Sequence, residues 1–306
     1  MPNDTTFPLI NNLKDRKSLE IKEMIERIAP MNSNVLIFGE TGVGKDFWVN
    51  YLFRLSKAPV LVDLNCGDVP EHLLESEWFG YRKGAFTGAD RDFEGKWQKA
   101  GEGILYLNQI DLLSLNLQAR LLRIIERKKY FPLGSNEEID IKARFIFSAD
   151  QRIEARVRTG EFRSDLYFRI SSCSLFIPPL RERKGDILPL VNFFAGQKGV
   201  PIDLTPAGCQ GLLAYHWSGN IRELENFLTQ QFIRQKPLED DDVDSLLKNV
   251  HDFWDMVKEQ ELPLAVLEKK YIDYLLKKHR NKKKVAEILK ISRKSLYNKL
   301  GRWEAP

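Results

Sequence analysis

One short segment of the chain has the residue types and spacing of a phosphate-binding loop. In "LIFGETGVGKD", Gly39 is followed by four residues and then by Gly44 and Lys45, after an apolar run and before a helix-like segment. Glycines let backbone N–H groups close around phosphate oxygens, the helix start adds its positive end, and lysine supplies a cation. The residues predicted to bind ATP are Gly39, Glu40, Thr41, Gly42, Val43, Gly44, Lys45 and Asp46.

The residue after the P-loop lysine is acidic. Asp46 stands where serine or threonine usually helps to hold magnesium. A carboxylate can hold the same hard cation, either directly or through water. We therefore expect Mg²⁺ beside the nucleotide, with Asp46 among its ligands.

The segments around this loop predict an α/β fold. The apolar runs "VLIF", "PVLVDLN", "ILYL" and "ARFIFSA" alternate with helix-like segments, which is typical of a parallel sheet with crossover helices. This α/β domain is predicted over residues 1–179. A smaller helical domain should follow over 180–236, then an acidic linker over 237–262 and a small all-α domain over 263–306.

Composition excludes several classes of protein. No run approaches the ~18 consecutive apolar residues of a membrane span and no signal peptide is apparent, so we expect a cytoplasmic protein. Three widely spaced cysteines and four scattered histidines lack the spacing of a disulfide framework or a zinc site. Residues 263–306 hold 13 Lys and Arg against 4 Asp and Glu, which predicts nucleic-acid binding at that end.

A longer segment carries a family resemblance. "NCGDVPEHLLESEWFGYRKGAFTGA" resembles the bacterial enhancer-binding proteins, AAA+ ATPases that activate sigma-54 RNA polymerase and share the GAFTGA loop. The resemblance continues through "LQARLLRIIE", "GEFRSDLYFRI", "IPPLRERKGDI" and "HWSGNIRELEN", and implies an AAA+ sheet with a helical lid.

The GAFTGA loop is implied by this resemblance to contact sigma-54. Its residues are Gly84, Ala85, Phe86, Thr87, Gly88 and Ala89. The two glycines give backbone freedom, and Phe86 offers an apolar contact. A hydrophobic turn packed on its own domain is the alternative.

The resemblance also implies roles for four further residues. Arg163 and Arg169 match arginine fingers that reach a neighbouring subunit's nucleotide, which implies a hexameric ring. Arg222 matches a nucleotide-sensing arginine of the lid, and Asn65 matches an asparagine that orients the catalytic acid. A structural ion pair or a helix cap is the alternative role for each.

The strand "GILYLNQ" departs from the family at its end. Where the family has Asp-Glu, which hold the magnesium shell and polarise the attacking water, this chain has Asn108 and Gln109. An amide accepts no proton near neutral pH, and loss of a general base typically lowers a rate by ~10² to 10⁴. These catalytic positions therefore predict ATP binding with poor hydrolysis.

A second departure lies on the strand that, by this resemblance, is the neighbour of "GILYLNQ". The family's sensor strand ends in Thr-Asn, whereas this chain has Ala149 and Asp150. One hypothesis places the charge lost at Asn108 on Asp150, with both residues near the metal. The alternatives are decay of hydrolysis, a substitution introduced to trap the ATP state, or a subunit that lends its arginines to an active homologue in a mixed ring.

The basic end resembles the factor-for-inversion-stimulation (Fis) type of helix-turn-helix. Lys282 to Lys290 is predicted as its first helix, and Ser292 as the cap of a recognition helix running to about Trp303. The candidate DNA contacts are Lys282, Lys283, Lys284, Arg293, Lys294, Ser295, Asn298 and Lys299. Phosphate contacts would make binding salt-sensitive, and a merely solvated basic face is the alternative. Paired modules on a near-palindromic enhancer are implied.

Two functions follow from these predictions. The first is a sigma-54-dependent activator that binds ATP and enhancer DNA. The second is a non-hydrolysing, ATP-gated DNA-binding regulator. About thirty residues precede the first core strand, so we expect no receiver or ligand-sensing domain.

Overall fold

A computed structural model of the chain describes residues 6–67, 70–247, 268, 271–272, 275–276, 281–292, 295–296 and 299–300. The chain divides into two compact units, Met1–Asp240 and Asp241–Pro306. Among the described residues, no helix has both the length and the apolar character needed to cross a membrane.

The secondary structure alternates between strands and helices through the first unit. The strands are β1 (Val35–Phe38), β2 (Leu61–Asn65), β3 (Gly80–Tyr81), β4 (Phe93–Glu94), β5 (Ile104–Asn108), β6 (Lys129–Tyr130), β7 (Ile139–Asp140), β8 (Arg144–Ala149), β9 (Ser174–Phe176), β10 (Ile202–Asp203) and β11 (Leu238–Glu239). The helices with both ends described are α1 (Thr6–Asn12), α2 (Arg16–Ile28), α3 (Lys45–Ser56), α4 (Glu71–Phe79), α5 (Lys96–Ala100), α6 (Leu115–Arg127), α7 (Ile153–Thr159), α8 (Ser164–Ile170), α9 (Ile187–Lys198), α10 (Pro206–Ala214), α11 (Asn220–Arg234) and, in the second unit, α12 (Lys282–Ile288). Residues 240–247 are also helical. Short 3-10 helices cover Ile110–Leu112, Leu180–Glu182 and Lys184–Asp186.

A five-stranded parallel sheet in the order β2-β5-β8-β1-β9 forms the centre of the first unit. Successive side chains of a strand point to opposite faces. On β5, Ile104 and Tyr106 therefore pack with α2 and α3, while Leu105 and Leu107 pack with α4 and α6. Both faces are covered, which explains why the strands are near-continuous apolar runs. The predicted α/β fold is confirmed.

The carboxyl ends of the strands bring the candidate site to one edge. Asn65 and Asn108 are register partners on β2 and β5, and Phe38 pairs with Ala149 on β1 and β8. Ligands of open parallel sheets bind at this edge. The P-loop, the amide pair and the residues after β8 therefore meet there.

The lid contains three helices, α9, α10 and α11, where a helical domain was predicted. Neither strand of the parallel pair β10 with β11 was predicted, because helices were expected over 180–236 and an acidic linker from residue 237. Two-residue strands are too short to show a periodicity. The proposed domain boundaries remain predictions.

In the second unit, buried Val285, Ala286 and Leu296 pack with Ile272 and Leu275. Between residues 267 and 278 the structure describes 268, 271–272 and 275–276, and each of these residues is helical.

Candidate functional site

The P-loop connects β1 to α3 with a backbone that needs its glycines. Gly42 and Gly44 have φ values of 80° and 94°, in the left-handed region that glycine adopts without steric cost. Lys45 Nζ donates to the carbonyl oxygens of Gly39 (2.8 Å) and Glu40 (3.0 Å), so the lysine lies over the loop. Burial lowers the pKa of Lys45, and the charges of Asp150 and Asp46 oppose this shift.

The side chain of Glu40 ties the P-loop to the lid. Its carboxylate accepts hydrogen bonds from Arg181 Nη1 (2.9 Å) and Nη2 (2.5 Å), and from Asn220 Nδ2 (3.0 Å). The Arg181 hydrogen bonds lower the pKa of Glu40 to about 2 although burial opposes them. Glu40 therefore stays ionised, and its negative charge is paired with the guanidinium of Arg181.

The start of α11 lies directly on the loop backbone. Asn220 Nδ2 also donates to the Thr41 carbonyl (3.1 Å), and the Ile221 amide donates to the Gly42 carbonyl (2.9 Å). The next residue, Arg222, is exposed, and a Cβ placed on Gly42 would lie 3.2 Å from its Cβ. The lid thus brings Arg222 to the P-loop.

Asn108 contacts the residue that follows the P-loop lysine. Its Nδ2 donates to Asp46 Oδ1 (3.3 Å), and its Oδ1 accepts from Ser148 Oγ (2.7 Å). The Tyr106 hydroxyl donates to the same Asp46 Oδ1 (2.6 Å) and lies 3.0 Å from Ser148 Oγ. Burial, followed by the charge of Asp46, raises the pKa of Tyr106, so the hydroxyl remains a donor. Sequence reasoning missed Tyr106 and Ser148, although each is a polar residue within an apolar strand.

Gln109 and Asn65 lie beside one glycine. Gln109 has a φ of 60° and its amide donates to Ser148 Oγ (3.1 Å). Its exposed side chain places Oε1 2.8 Å from where a Cβ on Gly67 would stand. Asn65 Oδ1 accepts from the Gly67 amide (3.0 Å). Asn65 and Gln109, the residue at the position predicted for the general base, therefore meet at Gly67.

Asp150 is engaged by its own loop. Its Oδ1 accepts from the Arg152 amide (3.0 Å) and Nε (2.7 Å). Burial raises the pKa of Asp150, but the Arg152 hydrogen bonds and the charge of Lys45 outweigh it and leave a lowered value. No described hydrogen bond joins Asp150 to Asn108 or Asp46.

Asp111, in the 3-10 helix after β5, is held by residues that follow β8. It is buried, and its Oδ1 accepts from the Asp150 amide (3.1 Å). Its Oδ2 forms an ion pair with Arg156 Nε (3.7 Å). Within the described ranges, no group of three or more His, Cys, Asp or Glu residues is placed to hold a metal.

The two arginines matched to fingers lie at the start and near the end of α8. Arg163 pairs with Asp165 through Nε (3.0 Å) and Nη2 (2.7 Å), while its backbone amide donates to buried Gln118 Oε1 (2.8 Å). Arg169 is exposed and makes no ion pair with a described residue. Phe168, beside it, is 73% exposed.

The GAFTGA loop projects between β3 and β4. Gly84 and Gly88 have φ values of 83° and 98°, with open space where a Cβ would stand. Phe86 is 46% exposed and its ring lies edge-on to Tyr81 at 4.9 Å. Ala89 is buried and its carbonyl accepts from the Gly84 amide (2.8 Å), which closes the loop base.

The basic end has the cap predicted at Ser292 and a second one, at Asn281, that was not predicted. Asn281 Oδ1 accepts from the amides of Lys283 and Lys284 at the start of α12 (3.0 and 3.3 Å). Ser292 Oγ accepts from the Ser295 amide (3.0 Å), and Lys290 has a φ of 54°, in the left-handed region.

The candidate DNA contacts differ in their exposure and in their partners within the protein. Lys282, Lys283 and Lys284 are exposed, whereas Lys299 Nζ donates to Glu268 (2.8 Å). The remaining candidates, Arg293, Lys294 and Asn298, lie outside the described residues.

Three families match successive parts of the chain. The sigma-54 interaction domain matches residues 12–176, the AAA+ ATPase lid domain matches 181–252, and the bacterial regulatory protein, Fis family, matches 263–303.

Individual bacterial regulatory proteins are also similar to this chain in sequence. The Nif-specific regulatory protein of Azotobacter vinelandii is 39% identical over 218 residues, which are 69% of this chain and 42% of that protein. UacR of Escherichia coli (strain K12), named as a sigma-54-dependent transcriptional regulator, is 35% identical over 310 residues, covering 93% of this chain and 52% of UacR. The chain thus spans about half the length, or less, of these relatives.

A solved structure shares the fold. NtrX from Brucella abortus in complex with ATP superposes with a TM-score of 0.69 and 26% identity, covering 95% of this chain and 68% of NtrX. The sigma-54 interaction domain alone matches more than half of the chain, and the lid and Fis-type families follow it in order. The chain therefore belongs to the bacterial enhancer-binding protein family of AAA+ proteins.

Proposed function

We propose that this chain is a sigma-54-dependent transcriptional regulator. It binds ATP in the P-loop, binds double-stranded enhancer DNA through its Fis-type end, and contacts sigma-54 RNA polymerase through the GAFTGA loop. In this proposal it holds ATP but hydrolyses it slowly. The observation that carries the proposal is an intact P-loop beside Asn108 and Gln109.

The P-loop residues support the binding part. Lys45 Nζ already lies over the loop, where it donates to the carbonyl oxygens of Gly39 and Glu40. A bound phosphate oxygen could take the place of these acceptors while the lysine stays over the loop. The N–H groups at the start of α3 and exposed Arg222 add positive potential.

The site offers few protein groups as magnesium ligands, which suits the way this ion usually binds to proteins. Mg²⁺ usually binds proteins through one or two carboxylates plus phosphates, and when bound it neutralises phosphate oxygens. Asp46 is the carboxylate nearest the loop lysine in sequence, with Asn108 beside it. Asp150 is a second candidate, since its charge acts on Lys45, but it would first have to be released by Arg152.

The position of the general base supports slow hydrolysis. Gln109 lies beside Gly67 and Asn65, where the family orients its catalytic acid. Its amide cannot take a proton from water near neutral pH. Without a base, catalysis would be limited to positioning and charge neutralisation by the remaining groups.

A mixed ring with an active homologue is the second candidate function. Arg163 and Arg169 are exposed on α8, and Phe168 beside them offers an apolar contact for another subunit. A subunit that cannot hydrolyse ATP would still lend these arginines to a neighbour's nucleotide.

Steady-state phosphate release by the purified chain tests the proposal. The chain alone should release phosphate at least about 100-fold more slowly than an active homologue while binding ATP. A mixed ring predicts that added chain raises the homologue's rate, and that Arg163→Ala abolishes this gain. Rapid release by the chain alone would contradict the proposal.

The variant Asp150→Asn separately tests the relocation of charge. If Asp150 replaces the missing acid, this variant should lose the residual phosphate release and weaken Mg²⁺-dependent ATP binding. Unchanged values would remove the relocation hypothesis.

A further inference from the structure

Asp46 is held through only one of its two carboxylate oxygens. Tyr106 OH (2.6 Å) and Asn108 Nδ2 (3.3 Å) both donate to Oδ1. Oδ2 accepts no hydrogen bond from any described residue, and Asp46 is exposed. One oxygen is thus used to orient the carboxylate and the other is available to a ligand.

The groups that hold Asp46 are themselves fixed. Tyr106 is 2% exposed and Ser148 is fully buried, on adjacent strands β5 and β8. Ser148 Oγ accepts from the Gln109 amide and donates to Asn108 Oδ1, so it sets the direction of the Asn108 side chain. A buried phenol and a buried hydroxyl therefore define where the Asp46 carboxylate points.

The amide at position 108 suits this arrangement better than an acid would. Asn108 donates a proton to Asp46, whereas an ionised aspartate has no proton to donate and would repel a carboxylate at this distance. At the end of β5, an acid that would hold the metal directly is thus replaced by an amide that orients Asp46, the proposed metal ligand.

We infer that Tyr106 is a positioning residue that presents Asp46 Oδ2 as the protein's magnesium ligand, with Asn108 as its second support. The inference rests on the proposed binding of ATP. Magnesium demands near-ideal octahedral geometry, so the orientation of a single carboxylate matters more than for a flexible cation such as calcium.

Calorimetric titration with ATP, in Mg²⁺ and in EDTA, tests this inference on the full chain. The quantity compared is the Mg²⁺ enhancement, defined as the ratio of Kd in EDTA to Kd in Mg²⁺. Tyr106→Phe removes one oxygen from a buried ring and should lower the enhancement about threefold to tenfold. The Kd of this variant for ATP in EDTA should equal that of the wild type. A merely structural defect would change this Kd as well.

Tyr51→Phe is the matched control. Tyr51 lies on α3, as Asp46 does, and its hydroxyl also donates to a carboxylate, Glu26 Oε1 at 2.7 Å. This variant loses an equivalent hydrogen bond away from the P-loop and should keep the wild-type enhancement.

Asp46→Asn is a second variant at an exposed position and should abolish the enhancement. An undiminished enhancement in either Tyr106→Phe or Asp46→Asn overturns the inference. A wild type that binds ATP equally in Mg²⁺ and EDTA also overturns it but leaves ATP binding in place. A wild type that binds no ATP overturns the proposed function and this inference with it.

Discussion

At the residue scale, the site combines a complete phosphate cradle with amides at the strand end. Asn108 and Gln109 differ in what they do. Asn108 is tied to Asp46 and Ser148, whereas the Gln109 side chain is exposed beside Gly67. Because only a basic group can draw a proton from water, Gln109 is the substitution that limits hydrolysis in our proposal.

Lys45 provides the first residue-scale prediction. Lys45→Ala removes the ammonium group that donates to two P-loop carbonyls and should weaken ATP binding about 10- to 100-fold, as expected for a charge-assisted contact. Lys57→Ala, just past the other end of α3, is the control and should bind normally. Equal affinities for the two variants, by titration calorimetry, would show that Lys45 does not contact phosphate.

At the element scale, the lid is joined to the P-loop by an ion pair whose contribution depends on pH. Glu40 has a folded pKa of about 2, below its ordinary 4.5, because Arg181 donates to it. A carboxylate whose pKa is lower in the folded state stabilises the fold fully at pH values above its unfolded-state pKa. This stabilisation is lost as the pH falls through its folded-state pKa. The contribution should therefore be complete above about pH 5 and decline between about pH 4.5 and 2.

Glu40→Gln tests this pH dependence. The wild type should lose ~1–2 kcal/mol more unfolding free energy than the variant between pH 6 and pH 3, measured by urea denaturation. Glu20→Gln removes an exposed pair with Arg16 and should behave like the wild type. Parallel pH profiles for Glu40→Gln and the wild type would contradict the assigned ion pair.

Gln118 joins α6 to the loop that carries Arg163. It is fully buried, donates to the carbonyls of Leu113 (2.8 Å) and Glu161 (3.1 Å), and accepts from the Arg163 amide. Gln118→Ala leaves these groups unpaired and should destabilise the fold by about 2–3 kcal/mol. The exposed Gln98→Ala should change stability by less than about 0.5 kcal/mol, and a similar small change for Gln118→Ala would contradict this role.

The elements also show what sequence could predict. The central strands were predictable because both faces are buried and the apolar runs are continuous, and the P-loop because its glycines have positive φ. The pair β10 with β11 was not predictable from two-residue segments. The hydrogen bonds of Tyr106 and Ser148 depend on the side-chain directions on β5 and β8; the family resemblance implied that these strands are neighbours, but not which of their side chains meet.

At the scale of the whole molecule, charge is divided between a basic end and a mildly acidic remainder. Residues 263–306 have 13 Lys and Arg against 4 Asp and Glu. Exposed Lys283 lies in the first turn of α12, where its amide donates to the cap residue Asn281, and it suits a phosphate contact. Each phosphate contact contributes about 0.9 to the slope of log affinity against log salt concentration.

Lys283→Ala should therefore reduce this salt slope by about 0.9, measured by fluorescence anisotropy with duplex DNA. The control is Lys236→Ala, an exposed lysine of the first unit, which should leave the slope unchanged. Equal slopes for both variants would indicate that the basic face of α12 is only solvated.

Phosphate release by wild type and Gln109→Glu chains is the most direct test of the central claim, that the chain holds ATP but lacks the base for hydrolysis. The wild type should be slow, and Gln109→Glu should be at least about 100-fold faster, with ATP affinity unchanged. Gln210→Glu makes the same chemical change at an exposed lid position and should stay slow. Brisk release by the wild type, or no gain in Gln109→Glu, would contradict the account.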